Sequence, residues 1–125
     1  MRVYTSYYHM ISRHMDGGED FCAISQSVPM WFKEDIIRIP EVAPSWDLIN
    51  SFKGNMISYG QFCHKYIEEL KTKFGSSEKV KDIIVKKLPD TLHDVVLVCW
   101  EKDVNSCHRK PLAEFAFGVE YLGEW

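Results

Sequence analysis

Apolar positions recur along the chain with two different periods, and the changes of period mark its elements. The opening Met1-Arg-Val-Tyr-Thr-Ser-Tyr-Tyr8 is rich in β-branched and aromatic residues, which predicts a strand. A polar stretch with Gly17 and Gly18 separates it from the short apolar run Phe21-Cys-Ala-Ile24, a second strand. Between Ser25 and Pro44 punctuation outweighs period. Pro29, Pro40 and Pro44 bracket a candidate edge strand over 36–39.

The second half is more regular. Pro44 and Ser45 start a short helix with Leu48, Ile49 and Phe52 inward and Gly54 as its stop. Ser58 and Gln61 form a capping-box pair ahead of Tyr59, Phe62, Cys63, Tyr66, Ile67, Leu70 and Phe74, spaced by threes and fours. That pattern predicts an amphipathic helix closed by Gly75. Ser76 or Ser77 caps another, with Val80, Ile83, Ile84 and Leu88 inward and Pro89 ending it. Val95-Val-Leu-Val-Cys-Trp100 is apolar throughout, which suits a central strand covered on both faces. Pro111 falls in the first turn of a terminal helix whose inner stripe is Leu112, Phe115, Ala116 and Val119.

Strands separated by helices predict an α/β fold, a small three-layer Rossmann-like sandwich with a mainly parallel sheet. No repeat or linker divides the chain, so residues 1–125 form a single α/β domain. Such sheets bind ligands outside the carboxyl ends of their strands. The rule selects three loci: 5–8, 25–27 and 99–109.

Composition narrows the partners. The chain carries a net charge of −3, which argues against a polyanion-binding surface, so nucleic acid is not an expected partner. It leaves room for one cationic pocket. The longest apolar run, Val95 to Trp100, is far below the roughly 18 residues of a membrane span, so no membrane partner is expected. Four cysteines without a CxxC pair, behind an N-terminus lacking a signal-peptide pattern, point to reduced thiols in the cytoplasm.

The locus from Cys99 to Arg109 holds the densest candidate chemistry. Cys107, His108 and Arg109 stand at a helix start, where free N–H groups and the helix dipole favour an anion. Arg109 is placed to bind a phosphate or carboxylate through paired hydrogen bonds. The same position lowers a thiol's pKa and makes Cys107 a candidate nucleophile. His108 would then act as general acid/base, and Glu101 would orient it or serve as a base. The plainer readings stand beside these. Cys99 lies in an apolar strand and suits the core, Cys107 suits a small filler, and Glu101 suits a surface ion pair. The Cys-x₇-Cys-His spacing of Cys99, Cys107 and His108 matches no standard zinc knuckle, so neither metal nor other cofactor is assigned.

At the other loci Ser6, Tyr7, Ser25 and Ser27 offer hydroxyls to a ligand, and Trp31 offers a wall for a pocket. Each is equally an ordinary strand-end, turn or loop residue. Lys71, Lys73, Lys79, Lys81, Lys86 and Lys87 alternate with inward residues, which marks a solvated face more than a nucleic-acid patch.

These residues carry a family resemblance. Val-Tyr-Thr-Ser-Tyr-Tyr at 3–8, Ala-Ile-Ser-Gln-Ser-Val-Pro-Met-Trp-Phe at 23–32 and Ala-Pro-Ser-Trp at 43–46 occur in order. They precede the long helix through Phe62, Tyr66 and Leu70, then Val-Leu-Val-Cys-Trp-Glu-Lys at 96–102 and Cys-His-Arg at 107–109. The chain resembles the uncharacterised bacterial and phage family known as domain of unknown function four-eight-eight. The resemblance implies a compact α/β domain with a shared site built from those segments, and no particular reaction.

Three functions follow as expectations. The first is binding of a small anionic, nucleotide-like ligand, with Arg109 on its phosphate and Tyr7 or Trp31 on its ring. The second is a Cys/His-dependent hydrolase or transferase acting on such a ligand. The third is a non-catalytic protein- or nucleic-acid-interaction module.

Overall fold

Val95–Cys99 offers no polar side chain to water, and it takes the centre of the sheet. In the computed structural model, which describes residues 1–89 and 93–125, this strand is β4. The other strands are β1 (Val3–Tyr7), β2 (Asp20–Ala23), β3 (Ile37–Arg38) and β5 (Tyr121–Glu124). Among the described residues they form with it a five-stranded sheet of order β3-β2-β4-β1-β5. Every pairing is parallel. Register runs from Val3 opposite Val95 to Tyr7 opposite Cys99, and from Asp20 opposite Val95 to Ala23 opposite Val98. The carboxyl ends of β1, β2 and β4 therefore finish level.

Alternation along the strands divides the core in two. Val95, Leu97, Cys99, Val3 and Cys22 face one side, where α2 (Trp46–Lys53), α3 (Tyr59–Phe74), α4 (Ser77–Lys86) and α5 (Arg109–Phe117) cover them. Val96, Val98, Phe21 and Ala23 face the other, covered by the one-turn α1 (Tyr8–Ile11), Phe32 and the ring of Trp125. The domain is an α/β sandwich with one thick helical layer and one thin layer made largely of loop. Among the described residues no helix is long and apolar enough to cross a membrane.

The helix starts follow their capping chemistry. The Ser45, Ser58 and Ser76 side chains accept from Leu48, Gln61 and Lys79 N–H, and at α3 both halves of the capping box are present. Gly75 ends α3 at φ 99°, a conformation that L side chains rarely adopt. Two expectations are corrected. α4 stops at Lys86, before Leu88 and Pro89. α5 ends at Phe117, and Gly118 at φ 55° turns the chain so that Val119 is exposed instead of continuing the inner stripe. The tail from Tyr121 is a fifth strand on β1, fixed by Trp125 N–H donating to the Thr5 carbonyl at 2.8 Å.

Candidate functional site

Because β2 and β4 end level, the segments leaving them diverge over the sheet edge and open a cleft of about 320 Å³. Ser25, Gln26 and Ser27 wall it from the β2 side, and Cys99, Trp100 and Glu101 from the β4 side. Trp46, Ile49 and Lys53 enter from α2, and Ser106, Cys107 and His108 come from the start of α5. The carboxyl edge is thus where a cavity forms, as parallel-sheet topology requires.

His108 is the N-cap of α5 and is nearly sealed from solvent. Its Nε2 lies 2.7 Å from the Ile24 carbonyl oxygen, which can only accept, so Nε2 carries the proton. That fixes the tautomer and leaves Nδ1 as the bare nitrogen, 3.9 Å from the Cys107 sulfur. Burial pushes the imidazole pKa down to about 4, partly offset by the Ile24 hydrogen bond and reinforced by the Arg109 charge. The ring is neutral at pH 7. The Tyr66 ring meets it edge-on with centroids 5.4 Å apart. Tyr59 on α3 donates to the carbonyls of Val104 and Cys107, at 3.1 and 2.9 Å, and so holds the Cys107 backbone in place.

Cys107 and Cys99 bring their sulfurs into direct contact across a Cα separation of 7.2 Å. The expectation of four separate thiols therefore fails for this pair. Cys22 and Cys63 are unpaired, and burial pushes the Cys22 thiol up to about 12. Cys99 is core, as expected of its strand, but its sulfur also reaches the cleft floor.

Arg109 departs furthest from its expected role. It is fully buried, and all five guanidinium N–H groups have partners. Nε donates to the Glu124 carboxylate and Nη2 reaches Glu124 Oε1 at 2.7 Å and the Lys102 carbonyl at 3.0 Å. Nη1 donates to the Glu101 carbonyl and lies 3.5 Å from the Cys99 sulfur. Its far face meets the Tyr7 ring at 5.7 Å. No donor remains for an incoming anion. Arg109 ties β5 to the loop after β4, and the sequence had no way to place its partner fifteen residues later.

Glu101 does not orient His108 and takes an ion pair instead. Its carboxylate sits 3.6 Å from Lys53 Nζ at the cleft wall, while the Ile24 carbonyl performs the orienting of His108. Ser25 and Ser27 line the cleft and brace its turn. Ser25 Oγ donates to the Ser27 carbonyl at 2.7 Å and accepts from the Tyr8 hydroxyl at 2.5 Å, and Trp100 Nε1 donates to the same carbonyl at 2.8 Å. Ser6 is buried in β1, and Tyr7 packs on Arg109. Trp31 stands among His9 and Phe32, with ring centroids at 5.9 and 6.2 Å. None of these three lines the cleft. Of the lysine run, Lys71 pairs with Glu68, Lys81 with Glu120 and Lys87 with Glu41, while Lys73 donates to the Glu41 carbonyl.

The cleft thus gathers Ser25, Ser27, Glu101, Cys107 and His108 from the expected set and leaves Ser6, Tyr7, Trp31 and Arg109 outside it. Trp46 and Lys53 were not foreseen. They are the first and last residues of α2, and the helix face between them, with Ile49 and Phe52 of its legible inward stripe, also lines the cleft. The Ala-Pro-Ser-Trp segment at 43–46 was the available signal for Trp46.

A family model described as the active DUF488-N3 subclade matches residues 25–116. The chain belongs to the DUF488 family. No curated protein and no solved structure matches it. The DUF488 match takes in every residue of the cleft wall, from Ser25 through His108. It stops short of β1 and β5, so Glu124, the carboxylate that occupies Arg109, lies beyond it.

Proposed function

We propose that this DUF488 chain is an enzyme, a hydrolase or transferase acting on a small ligand held at the carboxyl edge of the sheet. Cys107 and His108 form its reaction centre. The observation that carries this reading is their convergence. Adjacent residues seldom aim at one point, yet here the turn into α5 sends both side chains to the same cleft floor. The sulfur is a soft donor. The imidazole is neutral with a bare Nδ1, the form in which it takes up a proton or donates a lone pair. The word "active" in the family model's description points the same way.

The cleft also limits the ligand. Its volume lies at the small end of the range for small-molecule sites, roughly 300–1,000 Å³. Trp46 and Trp100 are half-exposed at its walls and offer flat apolar faces, while Lys53 supplies an exposed ammonium. A flat ring bearing an anionic group, as in a nucleotide-like molecule, suits that combination, with Lys53 in the place first given to Arg109.

A panel of nucleotides, nucleosides and phosphorylated small molecules tests the proposal, scored by melting temperature and by turnover. At least one compound should raise the melting temperature and be converted, and Cys107→Ala and His108→Ala should abolish conversion. If both variants convert the compound at the wild-type rate, or if nothing in the panel binds, the proposal fails.

A further inference from the structure

The structure assigns a thiophilic metal site to Cys99, Cys107 and His108: a zinc-class divalent ion held by two sulfurs and Nδ1, its fourth position open to the cleft. The assignment rests on the reading of this cleft as the reaction site and says what its sulfurs and imidazole do there.

Three observations carry it. First, Cys99 Sγ, Cys107 Sγ and a His108 ring nitrogen lie within 4.8 Å of one another, and all three residues are buried. They come from the end of β4 and the start of α5, so backbone already fixed by the sheet and by Tyr59 presents them together.

Second, the spacing of the backbones suits an ion between the sulfurs better than a bond joining them. Disulfides usually span Cα separations of about 4.4–6.8 Å, and bridging beyond about 7 Å requires backbone movement. Here the separation is 7.2 Å. An ion with Zn–S bonds of about 2.3 Å at a tetrahedral angle holds its sulfurs roughly 3.8 Å apart, which lengthens the permitted Cα span accordingly. A thiol reductant of the glutathione or dithiol class supplies the two electrons and two protons that turn the joined pair into two thiols, and small side-chain rotations then make that room.

Third, the surroundings are those of a liganding histidine. Metal-bound imidazoles commonly donate their other ring N–H to a carbonyl or carboxylate. Nε2 of His108 already does so, to the Ile24 carbonyl at 2.7 Å. The Arg109 guanidinium donates to the Cys99 sulfur at 3.5 Å, and Glu124 balances that cation.

The charges close. Two thiols lose their protons to solvent as the ion binds, and two thiolates with one neutral imidazole neutralise a divalent ion. A neutral cluster can be buried at modest cost. Two sulfurs and one nitrogen select zinc over magnesium or calcium, which take oxygen ligands. Three protein ligands with an open position is the coordination of catalytic rather than structural zinc. A water or a ligand oxygen would occupy the position facing the cleft.

The test uses the full chain. It is purified under reducing conditions with zinc in the medium, passed over a desalting column, and assayed for metal and for free thiols. Close to one zinc per chain is expected. Replacement by Co²⁺ should give the intense near-ultraviolet sulfur-to-cobalt band together with visible bands of tetrahedral cobalt. Cys107→Ser and His108→Gln should each weaken zinc binding by at least tenfold, and Cys63→Ser should leave it unchanged. If Cys107→Ser does not fold, the wild-type cobalt spectrum decides. Four titratable thiols with no retained zinc and no cobalt band would overturn the assignment, and so would a Cys99–Cys107 disulfide that binds no metal after reduction. Failure here leaves the enzyme proposal standing if the ligand panel still gives turnover that depends on Cys107. Zinc retained by a chain that binds nothing in the panel is the reverse case.

Discussion

His108 and Arg109 are neighbours at the start of one helix, and they serve opposite ends. The imidazole turns to the cleft, keeps one nitrogen uncommitted and is held neutral by burial. The guanidinium turns to β5 and the loop after β4 and gives every donor to Glu124, two carbonyls and the Cys99 sulfur. A sequence shows both as polar side chains at a helix N-terminus. What separates them is whether the fold brings up a partner, and a residue whose bonds are all satisfied within the chain has none left for a ligand.

The sharpest way to break this comparison is to strip the partner from the satisfied side. Glu124→Leu leaves the buried guanidinium without its carboxylate and should cost about 3–5 kcal/mol of stability in denaturant unfolding. Ligand affinity of the fraction still folded should stay within about twofold, because the cleft wall does not include Glu124. A large loss of affinity at unchanged stability would reverse the roles assigned to the two sides.

On the other side the matching experiment is a pH series. The folded pKa of His108, about 4, lies below its ordinary 6.5. Between those values the unfolded chain binds the extra proton, so the contribution is intact above pH 6.5 and is lost as pH falls toward 4. For the metal-free chain the loss should reach about 3 kcal/mol, and His108→Gln should flatten it. An unchanged slope in that variant would place the titration elsewhere.

Two smaller effects separate the cleft from its surroundings. Trp46→Ala should weaken a ring-bearing ligand by about 1–2 kcal/mol, as expected for lost stacking. Trp31→Ala should leave it within twofold, because Trp31 stands outside the cleft. Lys53→Ala should cost an anionic ligand about 1 kcal/mol and change stability by less than about 0.5 kcal/mol, since its ion pair with Glu101 is exposed. Titration calorimetry checks both.

The elements legible in the sequence were those whose physics is local or periodic. α3 announced itself through its capping box and three-to-four spacing, and β4 through unbroken apolarity, which a strand covered on both faces allows. β5 was not legible. In Tyr121-Leu-Gly-Glu-Trp125, Gly123 weakens strand character and Leu122 points outward, and the strand exists because β1 offers it an edge. The candidate site divided along the same line. The carboxyl-edge rule located Ser25, Glu101, Cys107 and His108, because topology places loops. It could not assign their partners: Ile24 rather than Glu101 for His108, Glu124 for Arg109, and Cys99 for Cys107. Those pairings depend on register and on tail placement, which only the folded chain supplies.

The central claim is that His108 stands neutral at the cleft floor with Nδ1 free to act. Nitrogen-15 NMR of the imidazole in the metal-free chain at pH 7 tests it most directly. Nε2 should be protonated and Nδ1 bare, and the Nδ1 resonance should move when zinc or a cleft ligand is added. A charged ring, a proton on Nδ1, or an Nδ1 resonance indifferent to both additions would contradict it.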